Sequence, residues 1–92
     1  MKYPIRNAAA IDVDDTLLIN GEANDDLVEW IKRKKEEGTE LVLWSARGRA
    51  YAQEVAEKLK VSHLFDAIIS KPSVIVDDKG WGWIKWTRVI QI

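Results

Sequence analysis

The apolar residues of this chain fall in short runs separated by mixed polar stretches. Four runs in which neighbouring residues are mostly apolar occupy about residues 7–13, 39–44, 67–69 and 74–76. Runs of this length are typical of strands that are buried on both faces of a parallel sheet. A further stretch, 86–92, is rich in residues that favour strands, and we predict that it adds an edge strand.

Two amphipathic stretches lie between these runs. Asn24 can cap a helix, Asp25 and Asp26 suit its positive N-terminus, and Gly38 suits its end. A second helix is predicted over about 49–60. Its apolar face is formed by Tyr51, Ala52, Val55, Ala56 and Leu59.

Strands and helices therefore alternate along the chain. This order predicts an α/β fold with a mostly parallel sheet and helices on both faces. Residues 1–92 are expected to form a single domain, because a chain of this length builds one hydrophobic core. Sites in such sheets lie outside the carboxyl ends of the strands.

Composition narrows the classes of function. The chain is 47% hydrophobic and 32% charged with a net charge of −1, so no basic field indicates nucleic acid. It has no cysteine, which excludes disulfides, thiolate catalysis and cysteine-bound zinc. The N-terminus has no apolar leader and no run approaches the ~20 residues of a membrane span. We therefore expect a cytoplasmic protein that does not enter the membrane.

Polar residues stand where the predicted strands end. Asp12 and Asp14 follow the first run at spacing i, i+2, which places both on one side of an extended backbone. Two carboxylates held this close repel each other, so the pair favours a proton, a cation or a reacting substrate. The residues that end the later runs are Ser45, Lys71, Asp77 and Asp78.

These residue types suit phosphoryl transfer from a phosphomonoester. A carboxylate can attack phosphorus and form an aspartyl phosphate, and a second carboxylate can move the protons. A hydroxyl and an ammonium group can hold the phosphoryl oxygens. Further carboxylates can hold Mg²⁺, which prefers oxygen ligands.

The same residues resemble the motifs of the haloacid dehalogenase superfamily of aspartyl-phosphate phosphatases. The resemblance extends over nearly the whole chain, with the motifs in the family's order. The matching segments are Asp12-Val13-Asp14-Asp15-Thr16-Leu17, Leu43-Trp44-Ser45-Ala46-Arg47, Ser70-Lys71-Pro72 and Val74-Ile75-Val76-Asp77-Asp78. The fold implied is a three-layer, Rossmann-like sheet.

The resemblance also implies roles and a cofactor. Asp12 is the implied nucleophile, Asp14 the general acid and base, and Lys71 the cation between nucleophile and phosphate. Mg²⁺ is implied as cofactor, held by Asp12, by the backbone carbonyl of Asp14 and by the pair Asp77 and Asp78. Asp78 is favoured as the direct ligand of that pair, but the sequence does not decide their order.

The implied phosphate-binding residues are Ser45 and Thr16, and Thr16 is also expected to orient the loop that follows Asp14. Asn20-Gly21 is the preferred two-residue hairpin turn, and the resemblance implies that this hairpin is the family's flap beside the site. Arg47 follows Ser45 closely and is a third candidate for the phosphate, although a solvated basic loop explains it equally well.

The chain departs from larger relatives in two places. Only Pro72 and Ser73 separate Lys71 from the predicted fourth strand, where many relatives have a helix. Neither gap between motifs has room for a cap domain, so we expect an open site. An open site favours a phosphorylated macromolecule, such as a nucleic-acid 3′-phosphate end or a phosphoprotein, or a partner chain that covers it.

Two other functions compete with a Mg²⁺-dependent phosphatase. A phospho-acceptor receiver module also combines a parallel sheet, clustered acids, a hydroxyl and a lysine, but it places its acids on different strands. A non-catalytic binding protein that retains the site is the third. Trp81, Trp83 and Trp86 are predicted to cover the sheet edge, with stacking on substrate bases as the alternative.

Overall fold

The structure is a computed structural model that describes residues 3–4 and 6–92. Five strands and two long helices follow one another as β1 (Ala8–Asp12), β2 (Leu18–Ile19), β3 (Glu22–Ala23), α1 (Asp25–Glu36), β4 (Glu40–Ser45), α2 (Arg49–Lys58) and β5 (Ala67–Ser70). Two 3₁₀ helices, Ser62–Leu64 and Gly80–Trp86, complete the described elements. No helix within these residues has the length and apolar character needed to cross a membrane.

The main sheet has three parallel strands in the order β1-β4-β5. Strand β4 lies in the centre, where Trp44 is level with Asp12 of β1 and with Ile69 of β5. All three strands therefore end at the same edge of the sheet. The predicted α/β class and the mostly parallel sheet are confirmed.

Both long helices pack on one face of this sheet, rather than one on each face as predicted. The connections β1-α1-β4 and β4-α2-β5 step across the sheet in the same direction, and right-handed crossovers then put their helices on the same side. The opposite face carries Val42 and Trp44, which are half-buried, and Ile69, which is exposed. The buried core consists of Ile11, Val13, Leu17, Ile31, Leu41, Leu43, Ala52, Val55, Ala56, Val61, Leu64 and Phe65.

The local signals between β1 and β4 act as predicted. Strands β2 and β3 form an antiparallel hairpin whose turn residues Asn20 and Gly21 have φ of 52° and 79°. Two consecutive left-handed residues are what a tight two-residue hairpin turn requires. Helix α1 begins after Asn24, whose side chain accepts the N–H of Leu27, and Gly38 follows its end with φ of 85°.

The C-terminal part of the chain differs from the prediction. Residues 74–76 and 86–92 form no strand, so both of these strand predictions are wrong. Of the three tryptophans predicted to cover the sheet edge, Trp81 and Trp86 are exposed and Trp83 is half-buried. The segment after β5 is short and folds on itself around the 3₁₀ helix Gly80–Trp86, where Thr87 donates to the carbonyl of Ile84.

Candidate active site

The carboxyl edge of the sheet brings three predicted site residues onto adjacent strands. Asp12 ends β1, Ser45 ends the neighbouring β4, and Lys71 directly follows β5. The backbone N–H of Lys71 donates to the carbonyl of Ser45 at 2.9 Å. Adjacent strands lie about 4.8 Å apart, so all three residues stand at one end of the sheet.

A tight turn follows Asp12 and carries Asp14. The carbonyl of Asp12 accepts the N–H of Leu17 at 3.3 Å, and that of Val13 accepts the N–H of Leu18 at 2.9 Å. Asp15 is exposed with φ of 59°, which is consistent with a turn residue, because aspartate tolerates left-handed backbone better than most residues. The turn keeps Asp12 and Asp14 at the edge of the sheet.

Asn24 joins this turn to helix α1. Its side-chain Nδ2 donates to the carbonyl of Thr16 at 3.1 Å, and its backbone N–H donates to Leu17 at 2.8 Å. Its Oδ1 accepts the N–H of Leu27 at 3.3 Å and so caps the helix. Thr16, predicted to orient the loop, is thus held through its backbone carbonyl.

Substitution of Asn24 separates its two contacts. We expect Asn24→Asp to retain the helix cap and lose only the bond to Thr16, whereas Asn24→Ala loses both. Loss of the cap costs about 0.5–2 kcal/mol. The free energy of unfolding in urea should therefore fall more for Asn24→Ala than for Asn24→Asp. Equal stability of the two variants would contradict the cap assigned to Asn24.

Asp14 has two side-chain partners, one in α2 and one in the loop that precedes it. The Tyr51 hydroxyl donates to its Oδ1 at 2.6 Å, and Nη1 of Arg47 lies 3.6 Å from its Oδ2. The Arg47 guanidinium also lies over the Tyr51 ring, 3.9 Å from the ring centroid. The hydrogen bond to Asp14 is the main reason why the pKa of Tyr51 is raised above its ordinary value, so Tyr51 remains a protonated donor at neutral pH.

Tyr51 was not identified from the sequence as a site residue. It belongs to the amphipathic pattern of α2, and that pattern indicated only a core position. Arg47, one of the predicted phosphate-binding residues, contacts Asp14 in this structure, and its side chain is 63% exposed. Nothing in the local sequence indicates that α2 would lie against the turn after β1.

Ser45 lies beneath the loop that leads into α2. It is only 2% exposed, its Oγ accepts the N–H of Arg47 at 3.0 Å, and its carbonyl accepts the N–H of Gly48 at 3.0 Å. Gly48 has φ of 101°, a conformation that a residue with Cβ rarely adopts. Helix α2 starts directly after it, where the N–H of Arg49 donates to Oγ of Ser70 at 3.0 Å. The Ser45 hydroxyl is therefore at the predicted strand end and is covered by this loop.

The predicted acidic pair is not brought to this edge. Asp77 and Asp78 are exposed, and Oδ1 of Asp77 accepts the N–H of Lys79 at 2.8 Å within a turn. In the part of the chain that the structure describes, no three acidic, histidine or cysteine side chains form a group that could hold a metal ion. The four-acid magnesium set implied by the resemblance is thus not brought together among the described residues.

Comparison with known proteins bears on the identity of this fold. The family model of the haloacid dehalogenase-like hydrolases matches residues 9–88, which include every motif described above. No curated protein matches the chain, and no solved structure does. Because the family match extends over most of the sequence, the chain belongs to the haloacid dehalogenase-like hydrolases.

Proposed function

We propose that this hydrolase is a phosphomonoesterase that acts through an aspartyl phosphate on Asp12. The observation that carries the proposal is the position of Asp12 and Asp14 at the carboxyl edge of the sheet, with a proton donor, Tyr51, on Asp14. A nucleophilic carboxylate and a separately held acid–base group are the two parts that this chemistry requires.

In the first step a carboxylate oxygen of Asp12 attacks phosphorus. A bond forms between that oxygen and phosphorus while the bond from phosphorus to the ester oxygen breaks. Asp14 enters this step protonated and gives its proton to the departing ester oxygen, which leaves as a neutral alcohol. The products of the step are the aspartyl phosphate and the Asp14 carboxylate.

In the second step water attacks phosphorus and Asp14 takes its proton. The bond to Asp12 breaks, inorganic phosphate leaves, and both carboxyl groups return to their starting forms. The contacts of Asp14 with Tyr51 and Arg47 are those of a carboxylate, because one partner donates a hydrogen bond and the other is a cation. They orient the group in the form that accepts a proton from water.

The phosphoryl oxygens need positive charge and donors around them. Lys71 is exposed next to the Ser45 strand end, with Nζ 6.0 Å from the centre of the Trp44 ring. We propose Lys71 for this role, with Arg47, Thr16 and Ser45 as further groups that bind the phosphate, Ser45 only after the loop above it moves. Mg²⁺ is part of the proposal, and it would supply charge that offsets the developing negative charge when bound.

Tyr51→Phe tests whether the phenol orients Asp14. The variant keeps the ring under Arg47 and removes the 2.6 Å hydrogen bond. A hydrogen bond to a charged group contributes about 1.5–3 kcal/mol, so kcat should fall by roughly tenfold or more. KM should change little, because the lost hydroxyl contacts Asp14, whereas the ring that Arg47 lies over is retained. An unchanged kcat in a folded variant would show that Tyr51 does not act on Asp14.

The openness of the site supports a proposal for the substrate class. The Asp14 side chain is 42% exposed and no element of the described residues lies over it as a cap. An exposed site does not exclude water from a small substrate. We therefore propose a phosphorylated macromolecule, such as a nucleic-acid 3′-phosphate end or a phosphoprotein, as the natural substrate.

A substrate panel tests the proposed function. Phosphorylated metabolites, nucleotides, DNA with 3′-phosphate ends and phosphopeptides are each incubated with the protein, with Mg²⁺ or with EDTA, and released phosphate is measured. We expect repeated turnover that depends on Mg²⁺ and is highest for a macromolecule. If this protein instead became phosphorylated once and released no phosphate, the receiver-like alternative would be supported. If no substrate reacted, the alternative of a non-catalytic binding protein would be supported.

A further inference from the structure

Strand β1 has one edge to which no described strand is paired. It pairs with β4 along Ala8–Asp12, and β4 in turn pairs with β5, so β1 is an edge strand of the sheet. Ala8 and Ala10 are exposed. The small side chains and the absence of charge along Ala8–Ile11 leave this edge without the features that usually discourage pairing with another strand.

The same chain carries an exposed apolar segment suited to such an edge. Val74, Ile75 and Val76 are 76%, 48% and 95% exposed, and all three are β-branched. Nine of the twelve large hydrophobic residues that are exposed among those described lie between Val74 and Ile92. We call residues 74–78 the exchange segment, since they combine this apolar triplet with Asp77 and Asp78.

A single chain cannot place the exchange segment on β1 in parallel with it. If Asp77 were level with Asp12, Val74 would be level with Ala9, four residues below the level of Ser70. The outer side of β1 is three strand spacings from β5, so Ser70 and Val74 would be about 19 Å apart. The four residues from Ser70 to Val74 extend at most ~14 Å. Parallel strands need a crossover of a dozen or more residues, and only Lys71, Pro72 and Ser73 are present.

We propose that a second copy of this chain supplies the exchange segment to the free edge of β1. In the register that puts Asp77 beside Asp12, Val76 lies beside Ile11 on the helix-covered face and extends the core. Each copy then receives the two acids that one chain does not bring to its site. The inference rests on the proposed function for the role of those acids, whereas the strand pairing itself does not depend on catalysis.

Complementation between two inactive variants tests the exchange. Asp12→Asn lacks the nucleophile but keeps an intact exchange segment, and the double variant Asp77→Asn/Asp78→Asn has the converse defect. In an equal mixture that exchanges subunits freely, half of the dimers are mixed and each contains one complete site of two. We therefore expect the mixture to regain about a quarter of the wild-type activity, although neither variant is active alone. No recovery, with wild type active and subunit exchange confirmed by mass, would overturn the proposal.

Disulfide trapping gives a readout that needs no activity. The chain has no cysteine, so Ala10→Cys and Ile75→Cys, made in separate chains, introduce single thiols. Neighbouring positions on paired strands are within the Cα separation of about 4.4–6.8 Å that a disulfide allows. We expect a linked pair of chains on oxidation of the mixture, and no such product when Glu54→Cys, at an exposed position of α2, replaces Ala10→Cys.

Two further measurements complete the test. One is the mass of the protein in solution, and the other is the oxidation of a single chain that carries both Ala10→Cys and Ile75→Cys. Light scattering of the wild type should show a dimer, and Val76→Lys should shift it to the monomer because a charge would enter the core beside Ile11. A disulfide within one chain of Ala10→Cys/Ile75→Cys, or a monomer at all concentrations with no trapping, would overturn the proposal. Trapping together with an inactive wild type would retain the exchange and refute the proposed function.

Discussion

Asn in place of Asp12 is expected to abolish phosphate release from p-nitrophenyl phosphate and from the best substrate of the panel. The amide cannot attack phosphorus, and no other carboxylate lies on β1 to replace it. Asp12 is at a strand end and is half-buried, and its side chain is not part of the core. The fold should therefore survive the change, with circular dichroism and the melting temperature close to those of the wild type.

Asp15→Asn is a matched control for this experiment. It removes the same charge three residues along the chain, from an exposed turn position whose left-handed backbone asparagine also tolerates. We expect this variant to keep most of its activity. If Asp12→Asn were as active as Asp15→Asn, the aspartyl-phosphate mechanism would be wrong.

The second large effect is expected for Asp14→Asn, and its size should depend on the leaving group. A general acid or base contributes typically ~10²–10⁴-fold to a rate. An alkyl phosphate needs Asp14 in both steps, so its hydrolysis should fall by at least this range. p-Nitrophenolate leaves without a proton, so its release should continue for one turnover and then stop.

Rapid-mixing kinetics would measure this difference. The Asp14→Asn variant should release a burst of nitrophenolate, at most one per active site, and retain phosphate on Asp12. Borohydride reduction of the aspartyl phosphate would then locate the modified residue. A uniform loss for both substrates without a burst would place Asp14 outside the proton-transfer steps.

The fold was predictable wherever the signal is local. Asn20-Gly21 requires only its own two backbone conformations to form the hairpin, and Asn24 requires only the next turn of helix. The order of strands and helices predicted the parallel sheet because short runs of apolar residues have few alternatives. These features depend little on what packs against them.

The predicted strand at residues 74–76 failed for a different reason. Its β-branched residues have the right preference, but a further parallel strand needs a long crossover, and the three-residue connection after β5 does not provide one. The same connection contains no helix, which leaves Val42 and Trp44 on an uncovered face. The length of the connection between residue 70 and residue 74 can be read from the sequence, and it argues against a parallel strand more strongly than the β-branched residues argue for one.

The environment of Asp14 shows a second limit of prediction from the sequence. The sequence placed Asp12 and Asp14 at a strand end, and the structure has both there. The hydrogen bond from Tyr51 depends on how α2 is placed against the turn after β1, which helix periodicity does not describe. Partners that meet through tertiary packing, at a separation of 37 residues in this pair, lie beyond any local pattern.

The location of the core has a consequence for how this protein can evolve. Among the residues that the structure describes, all twelve buried apolar ones lie between Ile11 and Phe65, so the last quarter of the chain contributes none of them. Substitutions at exposed positions usually change stability by no more than about 0.5 kcal/mol. Selection can therefore vary the acids and tryptophans of the C-terminal segment for a new substrate or partner. The stability that the single chain needs in order to fold depends on the core between Ile11 and Phe65.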